Sequence, residues 1–209
     1  MKKLLLIVAA TLVCVSAFAQ GKVSFAADSA HLVYFTTDVD SLRPTDGSLA
    51  GAGVYAGTIP AGVSLVADLW AGPTAGALSK VTSVATWSAS APGRWTTTSV
   101  VLPTTMAGNV LGYFQVDIHD ATAASAEEAW GQLNKYGGQS TVFTMVPGIS
   151  TYVAIANTGA GQSTWAAGTQ PIGTSGFGAI KLYATVPEPG TFALAGLGLA
   201  TLLIFRRRK

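Results

Sequence analysis

The chain has 209 residues, of which 49% are hydrophobic and only 11% charged, with a formal net charge of +2 and one cysteine. A lone Cys14 excludes a disulfide framework within the chain, and a length of this order is sufficient to bury a core without one. The positive sign belongs to the two ends: between Gln20 and Val186 six basic residues oppose nine acidic ones, a net of −3 with no basic stripe, so the electrostatic footprint of nucleic-acid binding is missing.

Met1-Lys2-Lys3, an apolar run from Leu4 to Val15, and Ala17-Phe18-Ala19 follow the order of a secretory signal peptide. Ala17 and Ala19 mark the expected cleavage, so residues 1–19 form a signal helix handed to the export translocon and the mature chain starts at Gln20. Thr11-Leu12-Val13-Cys14 is a poor lipobox, because further apolar residues follow the cysteine. Cys14 is expected to leave with the signal, and the mature domain then has no thiol for disulfides, metal binding or catalysis.

From Gln20 onward the dominant pattern is alternation with period two. Val63, Leu65, Ala67 and Leu69 share one face of a strand ending at Trp70. Val110, Phe114, Val116 and Ile118 share a face of the next clear strand, with Tyr113, Gln115, Asp117 and His119 opposite. Further β-branched and aromatic runs lie at Val23–Phe25, Leu32–Thr36, Val81–Trp87, Trp95–Leu102, Thr141–Val146, Tyr152–Ala156 and Ala179–Thr185. Turn signals separate them at Thr45-Asp46-Gly47, Ala71-Gly72-Pro73, Ala91-Pro92-Gly93 and Val146-Pro147-Gly148. One helix is predicted, Thr122 to Leu133, with Ser125 and Glu128 as a capping box and Gly137-Gly138 beyond its end. Gly159 to Gly176 reads as a long loop. The expected fold of residues 20–185 is a mainly β, antiparallel sandwich, jelly-roll or Ig-like, with one short helix.

Few residues carry chemistry. Asp38, Asp40 and Asp46 are close enough for oxygen ligation of Ca²⁺, but the spacing fails the EF-hand pattern and a solvated turn is the plainer reading. Asp117 and His119 share a strand face, where a cross-strand polar pair outweighs a metal or base role that would need a third group. His31 reads as structural. Glu127 and Glu128, adjacent on a helix, point about 100° apart, wrong for flanking one bond. Nucleophile-elbow, P-loop and dinucleotide motifs are absent, and Gly51-Ala52-Gly53 lacks a third glycine. Trp70, Trp87, Trp95, Trp130 and Trp165 would stack sugar rings if two or three lay exposed on one face; in a sandwich of this size most would pack the core. No cofactor, metal or catalytic residue is assigned.

The chain ends with Val186-Pro187-Glu188-Pro189-Gly190, an uncharged run from Thr191 to Phe205, and Arg206-Arg207-Arg208-Lys209. The two prolines fix φ and favour an extended, donor-poor segment that a protease cleft accepts. As a helix the apolar run spans about 22 Å, short of the roughly 30 Å hydrocarbon core. The cations extend its reach by snorkelling and hold the terminus cytoplasmic. A plain single-span anchor would share the charge placement. The three parts in this order, residues 186–209, resemble the PEP-CTERM sorting domain of Gram-negative bacteria. The resemblance implies an exported protein recognised at Pro187, Glu188 and Pro189 by an exosortase, a membrane-embedded cysteine protease and transpeptidase. It implies a transient membrane helix at 191–205 with a basic tail at 206–209. It also implies a final location at the cell surface or in the extracellular matrix, often in biofilm-forming species. The expected role is non-enzymatic, structural or adhesive. The alternative is a carbohydrate-binding module whose exposed Trp, assisted by Ca²⁺, hold a polysaccharide.

Overall fold

A computed structural model describes residues 20–28, 31–155 and 180–184. The expected signal segment with Ala17 and Ala19, the loop expected at 159–176 with Trp165, and the C-terminal tail with Pro187, Glu188, Pro189 and the helix expected at 191–205 lie outside the described residues. Among the described residues no helix is long and apolar enough to cross a membrane.

Among the described residues ten strands fall in two sheets. A three-stranded sheet has β1 (Lys22–Phe25) between β5 (Thr98–Val101) and β9 (Val153–Ala154). The larger sheet runs β2 (Val33–Phe35), β10 (Ile180–Ala184), β7 (Tyr136–Gln139), β6 (Gly112–Asp120), β3 (Leu65–Gly72) and β4 (Ser79–Val84), with β8 (Phe143–Met145) also paired to β6. Its centre is the β3–β6 ladder, antiparallel from Leu65 opposite Asp120 to Gly72 opposite Tyr113.

Alternation decides which face of that ladder goes inward. Leu65, Ala67, Leu69 and Ala71 of β3 and Phe114, Val116 and Ile118 of β6 are buried, in one core with Val23 and Phe25 of β1 and Val100 of β5. Each such Leu, Ile or Phe contributes roughly 1.5–3 kcal/mol of transfer free energy. Phe25 packs on Trp95 with centroids 4.9 Å apart, and Trp95 meets Trp87 edge-on at 6.1 Å. Val110, placed with this face in the sequence, precedes β6 and is 57% exposed.

The antiparallel expectation needs correction, because the sheets are mixed. β9 runs parallel to β1 and β10 runs parallel to β2. Both late strands return to partners more than a hundred residues earlier, and such long connections impose no hairpin reversal. The turn at Ala91-Pro92-Gly93 forms as its residues dictate: Gly93 has φ +78°, and an added Cβ would lie 2.7 Å from Leu32 Cβ.

The single α-helix among the described residues, α1, covers only Ala126–Trp130, less than the 122–133 expected from the sequence. Its start is capped as the sequence indicated: Ser125 Oγ accepts from the Glu128 N–H at 3.2 Å. The Glu128 carboxylate reaches back one residue further than a standard capping box, to the Ala124 N–H at 2.7 Å. Upstream, Asp120 Oδ1 accepts from the Thr122 N–H and hydroxyl, which holds 120–122 in a turn rather than a helix. α1 lies on the outer face of β7, where Gly137 lets it approach. A Cβ on Gly137 would sit 2.8 Å from both the Ala126 carbonyl oxygen and Trp130 Nε1.

Candidate functional site

The outer face of the β3–β6 ladder carries the polar half of the alternation. Trp70 stands opposite Gln115, Asp68 opposite Asp117, and Asp117 opposite Gln139 of β7. This face is not simply exposed to solvent: Asp68 is fully buried, Asp117 is 4% exposed and His119 is 2% exposed. α1 covers one side of it, and the turn between β3 and β4 rises on the other.

Between these covers lies a cleft of about 430 Å³ lined by Trp70, Gln115, Asp117, Gln139, Ser125 and Glu127, with Ala75, Gly76 and Leu78 of the β3–β4 turn at its rim. Its floor is irregular: the β3–β4 register shifts between Leu69 and Trp70, so Trp70 pairs with Lys80 and Val81 has no opposite residue. An extra residue of this kind re-aims the side chains beside it. Two polar atoms of the lining, Trp70 Nε1 and Asp117 Oδ1, are buried with no hydrogen-bond partner among the described residues. Gln115 is fixed by its Nε2, which donates to the Ser140 carbonyl at 3.1 Å.

Beside the cleft sits a buried ionic group. His119 presents Nδ1 to the Asp120 carbonyl at 2.9 Å and Nε2 to Asp68 Oδ2 at 3.0 Å. Both ring nitrogens face acceptors, so the imidazolium form is favoured. Lys80 Nζ reaches the same Asp68 oxygen at 3.1 Å. Burial alone would raise the Asp68 carboxyl, but hydrogen bonds from His119, Ser83 and Lys80 outweigh it and hold the group below its usual range. Burial alone would lower His119, but its bonds to Asp68 and Asp120 outweigh that and raise it. Asp117 lacks comparable support. Burial pushes its carboxyl up to about 6; repulsion from Asp68 and Glu127 adds to this, against the pull of His119 and the Ala126 N–H.

The sequence candidates separate cleanly. His119 forms a cross-strand polar pair as expected, but with Asp68 of β3 rather than with Asp117. Asp38 caps a short 3-10 turn, accepting from the Asp40 N–H and the Ser41 hydroxyl. Asp46 is buried elsewhere, bound by Arg43 Nε at 2.6 Å and by the Tyr136 hydroxyl at 2.7 Å. The three aspartates therefore do not converge, and among the described residues no group of three or more His, Cys, Asp or Glu could hold a metal. His31 is buried with Nδ1 2.7 Å from Asp28 Oδ1. Trp87 and Trp95 are core residues, and Trp87 Nε1 donates to the Leu65 carbonyl at 2.9 Å. Trp130 stacks on Tyr183 with centroids 5.1 Å apart and planes 6° from parallel. Trp70 alone of the described tryptophans lines the cleft. Sequence reasoning missed Asp68, Gln115 and Gln139 as site residues. The available signal was that Asp68 and Gln115 are polar residues of strongly alternating strands, on the face opposite the core.

No curated protein and no solved structure matches the chain. Residues 185–209 match the family model of the PEP-CTERM protein-sorting motif, a stretch that contains Pro187, Glu188 and Pro189. The C-terminal tail of this chain therefore carries a PEP-CTERM sorting motif, the signal of an exported protein processed at the membrane by an exosortase.

Proposed function

We propose that the chain is a non-enzymatic, structural or adhesive protein of a Gram-negative cell surface or extracellular matrix. Its working part is the β domain, of jelly-roll or Ig-like kind, delivered by the two terminal signals. The observation that carries this reading is the sorting motif at 185–209 on a predominantly β chain. The N-terminal signal supports it: a chain led into the translocon by residues 1–19 and cut after Ala19 reaches the outer side of the inner membrane, where the tail halts it until an exosortase acts. The low content of charge, 11% of residues, gives a surface polar through hydroxyls, suited to a crowded polysaccharide matrix.

Intact mass spectrometry of the protein recovered from the surface and medium of its native cells tests the reading. A species starting at Gln20 and ending near Glu188, with or without an added glycan or lipid mass, is the expected result. A species extending to Lys209 would show a plain anchored protein and remove the exosortase from the account. A second reading, carbohydrate recognition, is favoured by one observation, the half-buried Trp70 in the lining of a polar cleft. The version built on an open row of tryptophans is not the one favoured, since Trp87 and Trp95 are buried in the core.

A further inference from the structure

We propose that the cleft between α1 and the β3–β4 turn is a binding site for a neutral glycan. Trp70 would supply the stacking face, and Gln115, Asp117 and Gln139 the hydroxyl partners. The inference rests on the surface-protein reading for where the ligand is met, and on the cleft alone for what the ligand is.

Four features select this chemistry. First, the volume, about 430 Å³, lies in the range that encloses small ligands, and the opening is bounded by small residues, Ala75 and Gly76, that leave room for a chain to continue outward. Second, the lining combines an indole with two primary amides, a hydroxyl and carboxylates. A sugar ring has an apolar C–H face that packs on indole and a rim of hydroxyls that amides and carboxylates bind from either side.

Third, the two unpartnered atoms define what is missing. Asp117 Oδ1 needs a donor, and Trp70 Nε1 needs an acceptor. An aliphatic hydroxyl is both at once, so adjacent hydroxyls of one ring satisfy the pair. Leaving such atoms bare is costly in a buried site. Asp117 is 4% exposed, and it is a lining residue of the cleft.

Fourth, the charge excludes other occupants. Among the described residues no Lys, Arg or His lines the cleft; Lys80 and His119 of the outer face are both bound to Asp68. A phosphate or uronate would face Asp117 and Glu127 without compensation. A divalent cation would find two carboxylates and, among the described residues, no third His, Cys, Asp or Glu. The raised carboxyl of Asp117 fits a group that meets hydroxyls rather than ions.

The experiment is calorimetric titration of the full chain, in detergent, with neutral oligosaccharides of glucose, mannose, galactose and N-acetylglucosamine. An oligogalacturonate and CaCl₂ serve as counter-probes. Saturable binding of at least one neutral series is expected, with affinity rising from monosaccharide to short oligomer. Trp70→Ala should weaken it at least tenfold, Trp70→Phe less, and Trp130→Phe not at all. Gln139→Ala, which removes an amide without touching the core, should weaken it several-fold and covers the case in which Trp70→Ala fails to fold. No binding of any neutral series, binding unchanged by both Trp70→Ala and Gln139→Ala, or preference for the acidic glycan or the cation would each overturn the assignment. Recovery of processed protein from the cell surface together with a silent titration removes the cleft and leaves the surface reading standing. Binding by a protein that stays unprocessed upholds the cleft and removes that reading.

Discussion

Asp117 and Asp68 occupy neighbouring positions on one sheet face, yet burial acts on them in opposite ways. Asp68 has His119, Lys80 and Ser83 to answer its charge, whereas on Asp117 burial outweighs the pull of His119 and the Ala126 N–H. For Asp117 the folded value of about 6 exceeds the ordinary 3.8. Its contribution to unfolding free energy is therefore unfavourable once it ionises. The penalty is absent below about pH 4, grows between about 4 and 6, and is complete above that, where it amounts to about 3 kcal/mol. Asp117→Asn should raise the urea midpoint near pH 8 and leave it unchanged near pH 4; an equal effect at both pH values would contradict the assignment. A residue that lowers stability at neutral pH in a cleft is the pattern expected where binding, not folding, retains it. The Asp68–His119 pair has the opposite sign on both flanks. The depressed Asp68 stabilises above its ordinary value, and that stabilisation is lost as pH falls through its lowered value. The raised His119 stabilises below its ordinary value of 6.5, and that is lost as pH rises through its higher folded value. Asp68→Asn should cost about 3–5 kcal/mol at pH 6, because a buried imidazolium loses its carboxylate, and should lower the His119 titration midpoint followed by NMR. An unmoved midpoint would show that the two do not interact.

The elements show what alternation can and cannot reveal. In β6 the buried Phe114, Val116 and Ile118 and the polar Gln115, Asp117 and His119 are separated by side-chain period alone, so half of the candidate site was legible with the strand. β7 was not. Its sequence, Tyr-Gly-Gly-Gln, has no alternation and reads as the end of a helix, because Gly137 serves the close approach of α1 and not the strand itself. The parallel pairings of β9 and β10 were equally invisible, since nothing local encodes a partner a hundred residues away. The contact at Gly137 yields a test. Gly137→Ala should cost roughly 1–3 kcal/mol in urea unfolding, with a shift in the emission of Trp130, whose Nε1 lies 2.8 Å from the added methyl position. Ser125→Ala, which removes only the cap of α1, should cost about 1 kcal/mol. If Gly137→Ala were as mild as the cap mutation, α1 would be free to move off the sheet and the cleft would lack a rigid wall.

At the scale of the whole molecule, the chain divides its information unevenly. The sorting signal is written in contiguous residues because an exosortase reads a segment apart from the folded domain: two prolines around a glutamate, an apolar length, a basic end. Binding is written across β3, β6, β7 and α1, because only a folded sheet brings Trp70, Gln115, Asp117 and Gln139 to one place. The two layers should therefore fail independently. Glu188→Ala removes the single charge between two φ-locked prolines without touching the domain. In native cells it should accumulate a membrane-bound species retaining Lys209, seen by intact mass, while the thermal unfolding midpoint of the β domain stays that of the parent chain. Asp68→Asn should do the reverse, lowering that midpoint while any folded protein is still trimmed near Glu188. A Glu188→Ala protein processed like the parent would mean that the prolines alone are read. An Asp68→Asn protein that is folded but left untrimmed would mean that the exosortase senses the domain as well as the tail, and the separation argued from segment against surface would fall.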